Sequence, residues 1–306
     1  MQFMRQAILA VADNRHVSGF FQANSMARGL VSRFVAGDTL DEAMTASRSI
    51  DAEGMAVTLD LLGENVDTEQ QARNATGAYV EILNRMKAEG MSPNISIKLT
   101  MLGLDFGDDV AHDAIVPILE AAREVDGFIR IDMEGSDYTE RTMHLFEALH
   151  DRYPEQVGIV IQSYLRRSER DVQRCIERKA RVRLVKGAYA EPPSVAFQER
   201  SKIDENFVRL MELLLDNGAF PALATHDPAL IRSARGYVGR MRIPLDSFEF
   251  QMLYGVRRDE QQRLIDAGFG MRVYVPFGTE WYPYFTRRIA ERPANALFVL
   301  RQLKGG

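Results

Sequence analysis

The sequence reads as an α/β chain that closes into a (β/α)8 barrel. Eight short apolar or β-branched runs alternate with stretches of helical periodicity, the rhythm of a parallel sheet. Several runs carry apolar residues at both alternations, as strands covered on both faces require. Eight such units in one chain favour closure over an open, doubly wound sheet. The 306 residues suffice for one barrel with an extension.

The first fifty residues lack strand-like alternation, and segments 3–14, 19–36 and 40–52 read as helices. Thr39 and Glu42 have capping-box spacing, and Gly54 is a natural stop. The strand-like runs then fall at 57–61, 95–99, 129–133, 157–161, 182–185, 221–224, 248–253 and 271–275. Helical periodicity occupies 72–88, 110–125, 139–152, 171–179, 207–216 and 228–240 between them. Thr68 with Gln71, and Ser168 with Asp171, stand where N-caps are wanted, and Gly90, Gly218 and Gly268 where helices should end. No linker or repeat divides the chain, so residues 1–53 read as a helical arm and 54–306 as the barrel.

With 26% charged and 46% hydrophobic residues the chain belongs with folded globular proteins and not with disordered ones. Thirty-eight basic against 43 acidic residues give a net charge of -5, which argues against a nucleic-acid surface. No apolar stretch is long enough to span a bilayer, and residues 1–15 lack a secretory leader, so a cytoplasmic protein is expected. The single cysteine, Cys175, lies in a helical stretch and reads as a small buried apolar residue.

In such a barrel chemistry gathers at the carboxyl ends of the strands. The polar residues there are Asp60, Glu64, Lys98, Thr100, Asp132, Glu134, Gln162, Arg183, Lys186, Tyr189, Thr225, His226, Gln251, Tyr254 and Tyr274, which should converge on one mouth. Singly, each could be a cap or an ion-pair partner. The five histidines have no partner at ligand spacing, so no metal is expected. There is no G-x-S-x-G elbow, no phosphate loop and no G-x-G-x-x-G fingerprint. A strand-end lysine, Lys98 or Lys186, leaves Schiff-base chemistry open, and a non-catalytic amino-acid-binding barrel is a further alternative.

The last helical segment, from Trp281 through Tyr284, Arg287 and Arg288 to Glu291, places Tyr284, Arg287, Arg288 and Glu291 on one face. Paired arginines flanked by aromatics suit a clamp for a small carboxylate, because guanidinium binds carboxylate through two parallel hydrogen bonds. A solvated, salt-bridged helix surface is the alternative.

Eight motifs, in order along nearly the whole chain, resemble those of the monofunctional bacterial proline dehydrogenases. They are Thr58-Leu59-Asp60-Leu61-Leu62-Gly63-Glu64, Ser96-Ile97-Lys98-Leu99-Thr100, Arg130-Ile131-Asp132-Met133-Glu134, Gln162-Ser163-Tyr164-Leu165, Arg183-Leu184-Val185-Lys186-Gly187-Ala188-Tyr189, Ala224-Thr225-His226-Asp227, the run from Phe248 to Gly255, and Tyr284 to Glu291. The resemblance implies a distorted, TIM-like (β/α)8 barrel with its last helix over the mouth, and FAD bound without a Rossmann fingerprint. It implies flavin contacts from Met133, Gln162, Arg183, Val185, Lys186, Gly187, Ala188, Thr225 and His226. Lys98, Arg287 and Arg288 would hold the substrate carboxylate, with Tyr274 and Tyr284 over its ring. Tyr274 is the position at which relatives that prefer hydroxyproline tend to carry a smaller residue. Asp132 and Arg183 would be catalytic, with Asp132 anchoring Lys98 or Arg183, and Glu64 would pair with Arg287 as a gate. The implied reaction is oxidation of L-proline to Δ1-pyrroline-5-carboxylate, with electrons passed to a membrane quinone. Peripheral contact with the inner face of the cell membrane, and a separate pyrroline-5-carboxylate dehydrogenase as partner, are further expectations of the resemblance.

Overall fold

A computed structural model describes residues 29, 31–63 and 65–291, leaving aside the side chains of 287 and 289–291. The helix expected at 3–14, most of that at 19–36, Glu64, the Arg287 and Glu291 side chains, and residues 292–306 lie outside the described residues.

In chain order the elements are α1 (Leu40–Ala52), β1 (Ala56–Leu61), α2 (Glu69–Ala88), β2 (Asn94–Ile97), α3 (Asp108–Val125), β3 (Phe128–Ile131), α4 (Ser136–Arg152), β4 (Val157–Gln162), α5 (Ser168–Glu177), β5 (Arg181–Val185), α6 (Arg200–Asn217), β6 (Ala222–Ala224), α7 (Pro228–Met241), β7 (Glu249–Leu253), α8 (Arg258–Asp266), β8 (Gly270–Phe277) and α9 (Tyr282–Glu291). The eight strands run parallel, each bonded to the next, and β8 pairs back onto β1. The barrel is therefore closed, as the alternation predicts.

The strand sequences explain the layering. Ile95 and Ile97, Ile129 and Ile131, Ile159 and Ile161, and Val182 and Leu184 are buried in one apolar cluster with Ile82, Leu83, Ile115, Ile118 and Leu119 of the helices. Burying each such side chain contributes about 1.5–3 kcal/mol. The alternate positions point into the barrel and are unusually polar. Register sets Asp60 level with Ser96, Ser96 with Arg130, Arg130 with Gly158, and Thr58 with Tyr274. At the amino end the interior is closed by Arg130, Glu249 and Arg272. Arg272 donates to Glu249 at 2.9 Å and to the Val57 carbonyl at 2.9 Å. Arg130 donates to the Arg181 carbonyl at 2.5 Å and stacks on Phe128. Gly158 makes room for it, since a Cβ there would stand 2.7 Å from the Arg130 guanidinium.

Local signals decide the helix ends. Thr39 with Glu42, and Thr68 with Gln71, both form the reciprocal capping boxes that their spacing predicts. Ser168 does not cap. It is the first residue of α5, its hydroxyl donates to the Leu165 carbonyl at 2.7 Å, and Asp171 instead pairs with Arg167. Helix α8 has no strong periodic signal, because only Gln261 and Leu264 of its nine residues are buried.

The described segment before β1 explains the distortion. The chain reaches α1 from the carboxyl end of β8, where the Ala36 N–H bonds the Pro276 carbonyl at 2.8 Å and the Gly278 N–H bonds the Gly37 carbonyl at 2.9 Å. Helix α1 then packs along β1 and β8, with Ala43, Met44 and Ile50 in the main core, and ends beside the start of β1. It fills the slot that a helix following β8 would occupy in a regular barrel. Helix α9 is thereby left to lie elsewhere. Trp281, Tyr284 and Phe285 pack with Val31, Val35 and Leu62 in a separate cluster beside the mouth.

Candidate active site

The inward side chains at the strand ends surround a cavity of about 1230 Å3. Lys98, Asp132, Arg183, Tyr274, Tyr284 and Arg288 all line it, and so do Met133, Gln162, Val185, Lys186, Gly187, Ala188, Thr225 and His226. Every residue read as a site residue whose side chain is described thus stands on one wall or another of the same space. Thr100 and Tyr254, also strand-end residues, are not among its lining. The Thr100 backbone N–H and hydroxyl instead hold the Glu134 carboxylate at 3.1 and 2.6 Å.

The cations of the inner wall are held by carboxylates from other strands. Lys98 Nζ lies 2.8 Å from Asp60 Oδ1, both groups buried. Burial opposes the ammonium, but Asp60 and Asp132 outweigh it and hold Lys98 above the ordinary lysine range. Asp132 therefore does not bond Lys98. Its Oδ1 accepts from Arg183 Nη1 at 2.8 Å, and its Oδ2 accepts from the Tyr274 hydroxyl at 2.8 Å. The Arg183 guanidinium lies 5.3 Å from the centre of the Tyr274 ring, within cation–π range. Burial and the neighbouring Asp132 and Asp60 push the Tyr274 phenol well up, so it stays a neutral donor. Ser96, two residues before Lys98 on the same inward face, accepts from both terminal nitrogens of Arg183 at 3.0 Å.

A second wall runs from β4 to β7. Gln162 donates its amide nitrogen to the Met133 carbonyl at 3.1 Å, and its buried Oε1 has no partner among the described residues. Gly187, at φ +113°, packs directly on the Tyr164 ring, and a Cβ would overlap that ring. The Ser163 and Tyr164 N–H groups bond the Val185 and Lys186 carbonyls at 2.7 and 2.8 Å, so this wall is backbone laid flat. Lys186 is paired with Asp227 at 2.8 Å and with Asp204. Asp227 caps α7 and also accepts from Arg200 at 2.9 Å; although burial works against its charge, Lys186, the Ala229 N–H and Arg200 hold its carboxyl below the usual range. His226 Nε2 accepts the Leu253 N–H at 2.9 Å, which places the proton of the neutral ring on Nδ1.

At the mouth, α9 contributes Tyr284, which is buried, and Arg288, which lies over the Tyr284 ring at 5.3 Å. The segment before α1 contributes Arg33 and Phe34. Gly255 makes that possible, because the Arg33 carbonyl occupies the place where any Cβ at 255 would be. Arg33, Phe34, Ser96, Asp204 and Arg200 escaped the sequence reading. Ser96 opens the motif that carries Lys98 but was given no role of its own, and no local motif marks the other four. Cys175 is buried away from this cavity, and burial pushes its thiol up to about 12, as an inert core residue. Phe277 is likewise core.

A closed parallel barrel with ion-paired cations and two tyrosines lining a cavity at the carboxyl end of its strands has the architecture in which barrel enzymes place their active sites. The comparisons are more particular. Residues 43–301 match the family model described as proline dehydrogenase, and the chain belongs to that family. It is 38% identical over 298 residues to proline dehydrogenase 1 of Bacillus subtilis subsp. natto, covering 97% of this chain and 98% of that one. It is 38% identical to the proline dehydrogenase of Deinococcus radiodurans over 99% of both chains. Among solved structures, proline utilization A (PutA) from Bdellovibrio bacteriovorus, inactivated by N-propargylglycine, superposes with a TM-score of 0.83 at 26% identity. That match covers 94% of this chain but 36% of the PutA chain, so the present chain spans about a third of its length. The distorted (β/α)8 barrel is thus the fold of the family, and the chain is an oxidoreductase of the proline dehydrogenase class.

Proposed function

We propose that the protein is an FAD-dependent L-proline dehydrogenase that forms Δ1-pyrroline-5-carboxylate and passes the electrons to a quinone, the first step of proline breakdown. The observation that carries this reading is the common cavity of Lys98, Arg183 and Arg288 with the rings of Tyr274 and Tyr284. Cations for one carboxylate and flat faces for one small ring are what an imino acid needs. The residues also fit a flavin. The buried Gln162 Oε1, without a partner among the described residues, asks for a donor, and Val185, Lys186, Gly187 and Ala188 line the same cavity beside it. Met133, Gln162, Arg183, Val185, Lys186, Gly187, Ala188, Thr225 and His226 would hold it.

When bound, FAD supplies the acceptor for a hydride equivalent from proline C5. The chain's own groups do the rest. Lys98, Arg287 and Arg288 grip the carboxylate, and Tyr274 and Tyr284 hold the ring, so C5 is oriented before reaction. The surrounding positive charge lowers the pKa of the substrate amine and favours the neutral form, whose lone pair is needed as hydride leaves. Arg183, fixed by Asp132, presents a positive charge to the cofactor side of the cavity. Asp132 accepts hydrogen bonds from Arg183 and Tyr274 and is a positioning group, not a base. Glu64 would close the mouth by pairing with Arg287.

Schiff-base chemistry fares worse, because it needs a neutral lysine. Lys98 is held charged by Asp60, and Lys186 has two carboxylates. The same reading places residues 1–53 as an arm and 54–306 as the catalytic barrel. It includes peripheral contact with the inner face of the cell membrane, where a quinone is reached, although no helix among the described residues is long and apolar enough to cross a membrane. It assigns the next oxidation to a separate pyrroline-5-carboxylate dehydrogenase. Anaerobic titration of the purified protein with L-proline tests the core of it. The flavin absorbance should bleach stoichiometrically, whereas a colourless protein, or a flavin indifferent to proline, would overturn the reading.

A further inference from the structure

We propose that Ser96 is a positioning residue that aims the Arg183 guanidinium at the cofactor, an inference that rests on the flavin reading above. Three contacts hold that guanidinium, and each removes a different freedom. Asp132 Oδ1 takes one Nη1 hydrogen at 2.8 Å and fixes a corner. The Tyr274 ring, 5.3 Å away, covers a face and resists tipping. Ser96 Oγ, 3.0 Å from both Nη1 and Nη2, sits between the two prongs and fixes the direction of the fork within its own plane. Ser96 is fully buried, and Arg183 nearly so, so water does not substitute for this contact at no cost.

A hydroxyl is the suitable group for the task. A carboxylate at 96 would grip the fork equally well but would add a second negative charge to that of Asp132 and cancel the cation. A serine oxygen fixes direction and leaves the charge in place. Its own proton has an acceptor at hand in Thr58 Oγ1, 3.5 Å away on β1. Register makes the arrangement possible, because Ser96 is level with Asp60 on one side and Arg130 on the other, one layer beneath Lys98 and Asp132. Arg183 reaches down and across the barrel to it from β5, 87 residues away in sequence. Ser96 itself does not line the cavity. Its effect on the reaction must therefore pass through Arg183, and it has no direct part in holding proline.

That placement makes the test specific. Ser96→Ala is compared with the parent for flavin content, proline KM, the anaerobic rate of flavin bleaching at saturating proline, and the flavin midpoint potential measured with a chemical reductant. The substitution should slow bleaching about tenfold and move the midpoint to a more negative value, with flavin bound and KM within about twofold of the parent. A bleaching rate within about twofold and an unchanged midpoint would overturn the assignment and leave Ser96 a packing residue. Loss of thermal stability alone, without the change in midpoint, would do the same. If Ser96→Ala does not fold, Ser96→Cys keeps the volume, surrenders most of the acceptor strength and carries the same two outcomes. The dehydrogenase reading can fail separately. A parent flavin that proline never bleaches sinks that reading, while the midpoint difference still decides Ser96, since no proline is used to obtain it. A parent that holds no flavin overturns both.

Discussion

Replacing Asp60 with asparagine should make the charge of Lys98, and with it substrate binding, depend on pH below the ordinary lysine range. The substitution keeps the shape and one acceptor for Lys98 but removes the charge. At 2.8 Å, and with an effective dielectric of about 20, the lost attraction is about 6 kcal/mol before desolvation is deducted. Removing one partner of a buried pair usually leaves a net loss of about 3–5 kcal/mol, and the retained acceptor puts Asp60→Asn near the lower end. Denaturant unfolding should show that loss. In the parent, Lys98 lies above the ordinary lysine range, so its stabilising contribution is fully present below about pH 10.4 and fades only as pH rises towards the folded value. In Asp60→Asn burial is opposed chiefly by Asp132, with a smaller contribution from Tyr79, and the lysine pKa falls. The ratio of the variant's proline KM to the parent's should then climb with pH between about 7 and 10, by about tenfold per unit once the lowered pKa is passed. A variant with the parent's KM profile across that window, and unfolding within about 0.5 kcal/mol of it, would refute the claim that Asp60 keeps Lys98 charged.

Two further substitutions probe the opposite walls. Arg288→Ala should raise proline KM about a hundredfold with flavin still bound, because one of the two guanidinium forks assigned to the carboxylate is lost; normal KM in steady-state assays would remove Arg288 from the clamp. Gly187→Ala should strip the protein of flavin and lower its thermal midpoint, since alanine is strained at φ +113° by about 1–3 kcal/mol and its methyl overlaps the Tyr164 ring. A yellow, fully stable Gly187→Ala protein would show that the 187 backbone is not the flavin's floor.

The barrel was legible because parallel strands buried on both faces write themselves as β-branched runs, and the observed strands fall within two residues of the expected ones. The residual errors have a physical origin. Residues 99 and 133 continue the apolar pattern of β2 and β3 but belong to the loops, since the chain leaves the sheet at Ile97 and Ile131 to carry Lys98 and Asp132 into the mouth. Strand-end position sufficed to find Asp60, Lys98, Asp132 and Arg183. It could not pair them, because pairing depends on the stagger between strands, which leaves no trace in local spacing. Thus Lys98 takes Asp60 and Asp132 takes Arg183. Ser96 and the Arg33–Phe34 wall were hidden for the same reason.

The departure from a regular barrel and the chemistry of the mouth have one cause. Strands can present only inward side chains at fixed levels, and here those levels are filled by cations already neutralised in pairs: Lys98 by Asp60, Arg183 by Asp132, Lys186 by Asp227 and Asp204. Such pairing keeps charges rigid and oriented before substrate arrives, which is the condition for electrostatic catalysis without reorganisation. On the proposed reading the substrate carboxylate is gripped from the open side, where no strand reaches. Helix α1 supplies the means by filling the slot beside β8 and β1, so that α9 is not needed there and can bring Tyr284 and Arg288 across the opening. A regular β8–α9 connection would bury those two side chains against the outside of the barrel and leave the inner cations with no partner above the substrate.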